Sequence, residues 1–287
     1  MHTISIQPLV SVVTVVYNGE KYLEQTIRSV LDQTYLSIEY IIIDGGSKDG
    51  SLEIIQKYSD RLAYWISEPD SGIYDAWNKA LTHTKGEWIC FIGADDYFWQ
   101  PTTIANMLPY LQSAQQRGIR YVYGSMAHLH AETSEVFEIY DDISWEKSKP
   151  RFRYLMNIIH CGSFHHRLLF EEHGKFDPSF RIAGDYEFLL REFKNGDRDA
   201  LFAKEVIVLG ARNGGISANL DQRLHMAREN ELARQKNGIT EFSKELFIWK
   251  IRIHVFLWID KLLGRKLSAA LADFYRVILG KGKRWSN

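Results

Sequence analysis

Apolar residues in this chain come in short unbroken runs before Asp96 and in a looser rhythm after it. The first run, Val10-Ser11-Val12-Val13-Thr14-Val15-Val16, is β-branched at nearly every position. Branched side chains suit a pleated strand, and a run without polar alternation suits burial on both faces. Tyr17-Asn18-Gly19 breaks the run, after which Tyr22, Ile27, Val30 and Leu31 recur at helical spacing, ending near Gln33. The pattern then repeats. A strand from Glu39 to Asp44 precedes a helix through Leu52, Ile54, Ile55 and Tyr58. A strand from Leu62 to Ile66 precedes a helix from Ile73 to Leu81, which Asp70 or Ser71 can cap. The fourth run, Trp88-Ile89-Cys90-Phe91-Ile92, ends in Gly93-Ala94-Asp95-Asp96. Strands separated in this way by helices predict βαβ units and a parallel sheet with right-handed crossovers.

Beyond Asp96 the spacing predicts a helix over Thr103–Gln116 and strands over Tyr121–Gly124 and Val136–Tyr140. Asp141–Arg153 reads as a loop and Ile158–His165 as a strand. A short helix over Arg167–His173, a turn at Phe176-Asp177-Pro178, a helix from Gly184 and a strand over Leu201–Leu209 follow. From Leu220 onward the chain reads as helices. The expected division is an α/β domain over residues 1–219 and a helical region over 220–287.

Several of these strands end in carboxylates: Asp44, Asp70, and the pair Asp95 and Asp96. In an open parallel sheet the carboxyl ends share one rim, where ligands bind. Adjacent carboxylates repel, and a divalent cation relieves the repulsion; hard oxygen ligands suit Mg or Mn. A solvated turn is the competing account of any one of these acids. Gly45, Gly46 and Gly50 follow the second strand and lack the G-x-G-x-x-G spacing after the first, which argues against a dinucleotide-dependent dehydrogenase.

Bulk composition narrows the classes further. With 287 residues and 45% apolar content the chain can bury a large core. The formal charge of −1 gives no global pull toward nucleic acid. Two cysteines, Cys90 and Cys161, form no disulfide framework or zinc spacing, which suits a reducing cytoplasm. Neither a signal peptide nor an apolar run long enough to span a membrane is expected.

Taken together, Val10–Tyr22 (VSVVTVVYNGEKY), Glu39–Ser51 (EYIIIDGGSKDGS), Ser67–Ala80 (SEPDSGIYDAWNKA), Gly86–Asp96 and Gly184–Arg191 (GDYEFLLR) resemble the inverting family 2 glycosyltransferases of GT-A fold, of the type that builds bacterial O-antigen and capsule sugars. The likeness covers roughly the first three-quarters of the chain. It implies a Rossmann-like, mostly parallel GT-A sheet and a nucleotide-sugar donor, commonly UDP-linked. It also implies a saccharide acceptor, often lipid-linked, and Mn or Mg. Position by position, it implies that Asp44, beside Gly45, accepts a hydrogen bond from the base. Tyr17, Asn18 and Glu20 would shape the nucleotide pocket, and Asp70, Asp75 and Asn78 would face the donor. Asp95 would bind the metal, Asp96 would be a second ligand or ribose contact, and Asp185 would deprotonate the acceptor hydroxyl. One position departs from the pattern: the first acid of the family's D-x-D motif falls at Gly93.

Plainer accounts stand beside these roles. Asp185 could be a helix N-terminal carboxylate stabilised by the dipole. Asp75 and Asn78 could be a polar helix face, and His160 could touch phosphate, metal or acceptor or be a satisfied buried side chain. His165, His166, Glu171 and Glu172 read more simply as a solvated helix start than as a metal site. Gly214-Gly215-Ile216-Ser217 is either an acceptor-side loop or an ordinary turn. From Lys244 to Asn287 ten basic side chains stand against three acidic ones, interleaved with apolar residues. That composition suits a helix pair lying on an anionic membrane, here the inner face of the cytoplasmic membrane, or one packed on the catalytic domain or a homodimer partner. Two other functions are weighed: a catalytically inactive domain binding nucleotide or glycan, and a sugar-phosphate nucleotidyltransferase. The latter would want a basic, glycine-rich loop where Tyr17-Asn18-Gly19-Glu20 stands.

Overall fold

The computed structural model describes residues 7–141, 143–213, 220–278, 280 and 283. Strands β1 (Val10–Val16), β2 (Ile38–Asp44), β3 (Tyr64–Ser67) and β4 (Trp88–Gly93) pair in parallel in the order β3-β2-β1-β4. Helices α1 (Glu20–Leu31), α2 (Ser51–Lys57) and α3 (Ile73–Leu81) make the crossovers. Alternate residues of each strand go to opposite faces, and both faces are covered. Val12, Ile42 and Cys90 pack with Leu23, Ile27 and Ile55 on one side. Val13, Ile41 and Phe91 pack with Tyr74, Trp77 and Leu189 on the other. This two-sided burial explains the unbroken apolar runs, and each such side chain contributes about 1.5–3 kcal/mol on leaving water.

Beyond β4 the sheet stops being parallel. A two-residue strand β5 (Tyr97–Phe98) and helix α4 (Thr103–Gln116) lead to β6 (Tyr121–Leu129) and β7 (Val136–Tyr140). Strand β8 (Phe164–His166) pairs antiparallel with both β4 and β6, while β9 (Leu201–Arg212) runs parallel to β6 and antiparallel to β5. The sheet is therefore mixed, with β3-β2-β1-β4 and the long β6–β9 pair parallel and the short pairings antiparallel. Two local expectations fail. Trp145–Phe152, inside the expected loop, is helix α5, with Trp145 and Phe152 buried. Residues 158–163, expected to begin a strand, carry no strand pairing and turn through Gly162 (φ +75). There Tyr121 donates to the Ile159 carbonyl at 2.6 Å, satisfying a buried loop that reads as a strand by hydrophobicity alone.

Helices α6 (Arg167–His173) and α7 (Gly184–Phe193) cover the second face. Helix α8 (Leu220–Lys236) does not lie outside this body, as a boundary at residue 219 implied. Ala233 and Ile239 belong to the same core, and Asn237 donates to the Glu187 carbonyl. Helix α9 (Lys244–Leu263) is attached through a small cluster of Ala227, Leu246 and Ile253 with partly buried Leu224 and Trp249, and α10 (Arg265–Ile278) through an ion pair of Arg276 with Glu138 of β7 at 2.8 Å. Among the described residues no helix is long and apolar enough to cross a membrane. Gly214-Gly215-Ile216-Ser217, Lys281 and Arg284 lie outside the described residues.

Candidate active site

The strand order reverses between β1 and β4, and such a switch point opens a crevice at the carboxyl ends. Register puts Val16 opposite Asp44, Asp44 opposite Ser67, and Val15 opposite Gly93. The acidic strand ends thus share one rim, as their sequence positions implied.

On one side of the crevice two loops are laced together. Asn18, at φ 53, donates its N–H to the Ser47 hydroxyl (2.8 Å) and accepts the Lys48 N–H on its side-chain oxygen (2.8 Å). Gly19 donates to the Ser51 hydroxyl, and Glu20 accepts the Gly50 N–H at 2.7 Å. Asn18 and Glu20 are therefore committed to loop structure, whereas Tyr17 projects with 66% of its surface exposed. Asp44 has no exposed surface. Its carboxylate accepts from the N–H groups of Gly46 (3.2 Å) and Ser47 (3.0 Å) and from the hydroxyls of Ser67 (2.6 Å) and Ser47. Three of these donors reach Oδ2 and one reaches Oδ1, so the Asp44 carboxylate holds the turn. Asp70 instead reaches the turn's surface, and a Cβ on Gly45 would lie 2.5 Å from its Oδ2. A side chain at position 45 would displace that carboxylate.

The acids of β4 form the other side. A Cβ on Gly93 would lie 3.0 Å from Asp95 Oδ1 and 2.9 Å from Asp96 Oδ2, so the two carboxylates converge over the glycine. Burial raises both pKa values. Asp96 is pushed up to about 6 by burial and then by Asp95; Asp95 is raised by burial against the opposing pull of Arg212. Arg212 offsets only part of the burial of these converging carboxylates, and their hard oxygens fit a Mg or Mn ion. Three further side chains fix the pair. The Thr26 hydroxyl lies 2.8 Å from the Ala94 carbonyl and 2.6 Å from that of Asp96, and Cys161 Sγ donates to Asp96 Oδ2 at 2.9 Å. Arg212 donates to the Asp95 carbonyl at 2.5 Å and to Gln25, and stands over the rings of Tyr22 (4.2 Å) and Tyr97 (5.2 Å). Sequence reasoning missed all three, since no local pattern relates residues so far apart in the chain.

Asp185 sits in the first turn of α7, half-buried. Its Oδ1 accepts from the Tyr186 N–H (2.8 Å) and the Tyr74 hydroxyl (3.3 Å), and burial pushes its pKa up to about 6. Gly184 makes room for a neighbouring side chain. A Cβ there would meet the Tyr74 ring at 2.8 Å, so the glycine admits the tyrosine.

Other candidates have different positions. Asn78 bonds Phe176 twice, donating to its carbonyl (2.8 Å) and accepting its N–H (3.0 Å). Asp75 accepts the Ser71 N–H ahead of its helix. Both line a cleft with Ile66, His83 and Lys175, away from the β4 acids and Asp185, which do not line it. Asn78 thus clasps α3 to the chain before α7. His160 is buried among Trp77, Phe91 and Phe176, its Nε2 without a partner, and burial holds its pKa well below the usual range. The expectation of a satisfied histidine is wrong in that detail. His165 is fully buried rather than solvated, with its pKa lowered to about 3. Glu172, His173 and Glu192 come close enough to hold an ion, but Arg120 bridges both glutamates and His173 Nε2 meets Glu192 at 2.7 Å. The arginine already supplies the charge a metal would.

Residues 11–173 match the family model described as Glycosyl transferase family 2. The chain belongs to this family. It is 30% identical over 184 residues to an uncharacterized glycosyltransferase of Rickettsia typhi, covering 63% of this chain and 57% of that protein. It is 24% identical over 224 residues to a PGL/p-HBAD biosynthesis glycosyltransferase of Mycobacterium bovis, covering 77% of this chain and 84% of that one. The chain thus spans little more than half the length of the Rickettsia relative. Among solved structures, the mannosyltransferase PcManGT of Pyrobaculum calidifontis, in complex with GDP-Man and Mn2+, superposes with a TM-score of 0.64 at 18% identity, over 96% of this chain and 81% of that one. Residues 1–349 of S. aureus TarS, in complex with UDP-GlcNAc, superpose at 0.60 and 17% identity, over 78% and 66%. At these identities the likeness establishes the fold, and the mixed sheet with its helical C-terminal region is a GT-A architecture.

Proposed function

We propose that this family member transfers a sugar, with inversion, from a UDP-linked nucleotide sugar to a saccharide acceptor, lipid-linked, in surface-polysaccharide synthesis. The observation that carries the reading is the convergence of the Asp95 and Asp96 carboxylates over Gly93 at the switch point. The ligands of the two solved structures, UDP-GlcNAc and GDP-Man with Mn2+, support a nucleotide-sugar donor and a divalent cation. Tyr17 and Asp70 would line the nucleotide pocket on a turn held by Asp44, Asn18 and Glu20. Asp95 and Asp96 would hold Mg or Mn, which when bound stabilises the leaving diphosphate as a Lewis acid. Asp185 would accept the proton of the acceptor hydroxyl as its oxygen bonds to the anomeric carbon, opposite the departing diphosphate.

The exposed apolar residues of α9 and α10, among them Trp258, Leu262, Leu267 and Phe274, together with the local basic excess, support a membrane-surface role for these two helices. A symmetric dimer through this surface would bring like charges together, which disfavours the packed-dimer alternative.

The test is a thermal-stabilisation screen of UDP-GlcNAc, UDP-glucose and GDP-mannose with and without Mn2+. A ligand that binds only the folded state raises its stability. At least one donor should stabilise the protein in a metal-dependent way, and Asp95→Asn should abolish that dependence. Metal-independent binding of every donor, or an unchanged response in Asp95→Asn, refutes the site.

A further inference from the structure

One buried carboxylate outside the rim stands out. Glu229, on α8, is 6% exposed and accepts three successive backbone N–H groups, those of Arg181, Ile182 and Ala183, each at 2.8 Å. Consecutive N–H groups converging in this way form an anion-binding concavity. Its occupant here is supplied by a helix 46 residues further along the chain. His225, one turn earlier on α8, meets Glu229 Oε1 at 3.0 Å. From the opposite side the Tyr74 hydroxyl lies 2.7 Å from the Ile182 carbonyl and 3.3 Å from Asp185 Oδ1. The segment entering α7 is therefore gripped on both sides. Ala183, the residue preceding the helix, offers no side-chain cap of its own.

We propose that Glu229 is a positioning residue for Asp185: from α8 it fixes the Arg181–Ala183 backbone, and with it the direction in which the first turn of α7 presents the Asp185 carboxylate. The inference rests on the reading of Asp185 as the base. It makes α8 part of the catalytic apparatus, although no residue of α8 touches the Asp185 side chain directly in the contacts described. Charge adds a second effect. The groups facing Asp185 are Tyr74 from α3, Tyr121 from β6 and Glu229 from α8, and Glu229 opposes ionisation of Asp185. Taking the charge off Glu229 lowers the pKa of Asp185, so the acid limb of activity moves to lower pH.

The experiment compares Glu229→Gln and Glu229→Asp with the intact protein. The first readout is the carboxyl titration of Asp185 by 13C NMR, which needs no turnover and so separates failure of this inference from failure of the catalytic reading. The second is turnover of whichever nucleotide sugar stabilises the protein most. Glu229→Gln should titrate Asp185 at lower pH, leave donor KM within about twofold and lower kcat by about ten- to a hundredfold, the scale of a misplaced reacting group. Glu229→Asp keeps the charge but shortens the reach, so the titration should stay in place while kcat falls. An unmoved titration in Glu229→Gln, or wild-type kcat in either folded variant, overturns the proposal. Should Glu229→Gln not fold, Glu229→Asp carries the test through kcat alone. If the titration moves as expected but Asp185→Asn still turns over normally, the catalytic reading fails and the positioning geometry stands.

Discussion

Asp185→Asn separates a general base from a helix-terminal carboxylate in one substitution. Oδ1 of asparagine can still accept from the Tyr186 N–H and the Tyr74 hydroxyl, so the local hydrogen bonds survive. With its pKa pushed up to about 6, Asp185 is roughly nine-tenths ionised at pH 7, close to the optimum for a base that must hold and then release a proton. Removing it should lower transfer by roughly two to four orders of magnitude, about 3–5 kcal/mol of barrier. In the intact protein kcat/KM should fall about tenfold per pH unit below pH 6 as the carboxylate is protonated. Stability moves the other way. A carboxyl whose pKa rises from 3.8 unfolded to about 6 folded weakens the fold as pH climbs through that interval, so the asparagine variant should melt at or above the wild-type temperature at pH 7–8. The assay is single-turnover transfer with donor and Mn2+ saturating, alongside a pH series of melting curves. Wild-type transfer by a well-folded Asp185→Asn would remove the base and leave inversion unsupported.

Three other outcomes are expected. Gly184→Ala presses a methyl into the buried Tyr74 ring and should cost about 1–3 kcal/mol of stability, read as a lower urea midpoint; an unchanged midpoint would show that the ring moves freely. Asp44→Ala leaves the Ser47 and Ser67 hydroxyls and two turn N–H groups without their acceptor, so donor KM should rise more than kcat falls; a pure kcat defect would place the turn nearer the chemistry. Deleting Lys244–Asn287 should reduce sedimentation with phosphatidylserine vesicles, and binding by the intact chain should weaken as salt rises; salt-independent binding, or loss only of a dimer, would favour a protein contact.

Much of the sheet half was legible because its physics is local. The β-branched runs gave β1 and β2 nearly to the residue, and helix α3 to the residue, since two-sided burial writes itself directly into composition. The rim of acids followed from topology alone. What was not legible depended on distant partners. Helix α5 carries Pro150 and is half charged, so only its buried Trp145 and Phe152 reveal it. Residues 158–163 are apolar because they are buried, and burial does not distinguish a strand from a loop whose carbonyl a tyrosine satisfies. Asp44 was rightly placed at the rim, but its direction depends on Ser67, from another strand. Glu229 gave no signal because α8 has no clear polar and apolar faces, and a glutamate among many charged residues looks solvated.

The lacing of residues 18–20 to residues 47–51 has a consequence for exchanging specificity between relatives. Each loop is the other's template: Asn18 is shaped by Ser47 and Lys48, and Gly50 by Glu20. A donor pocket transplanted as one loop would arrive without the partner that gives it its form. The smallest portable unit is the pair, and homologous change at either segment should be accompanied by change at the other. For recombination, the two stretches amount to one allele separated by a helix and a strand.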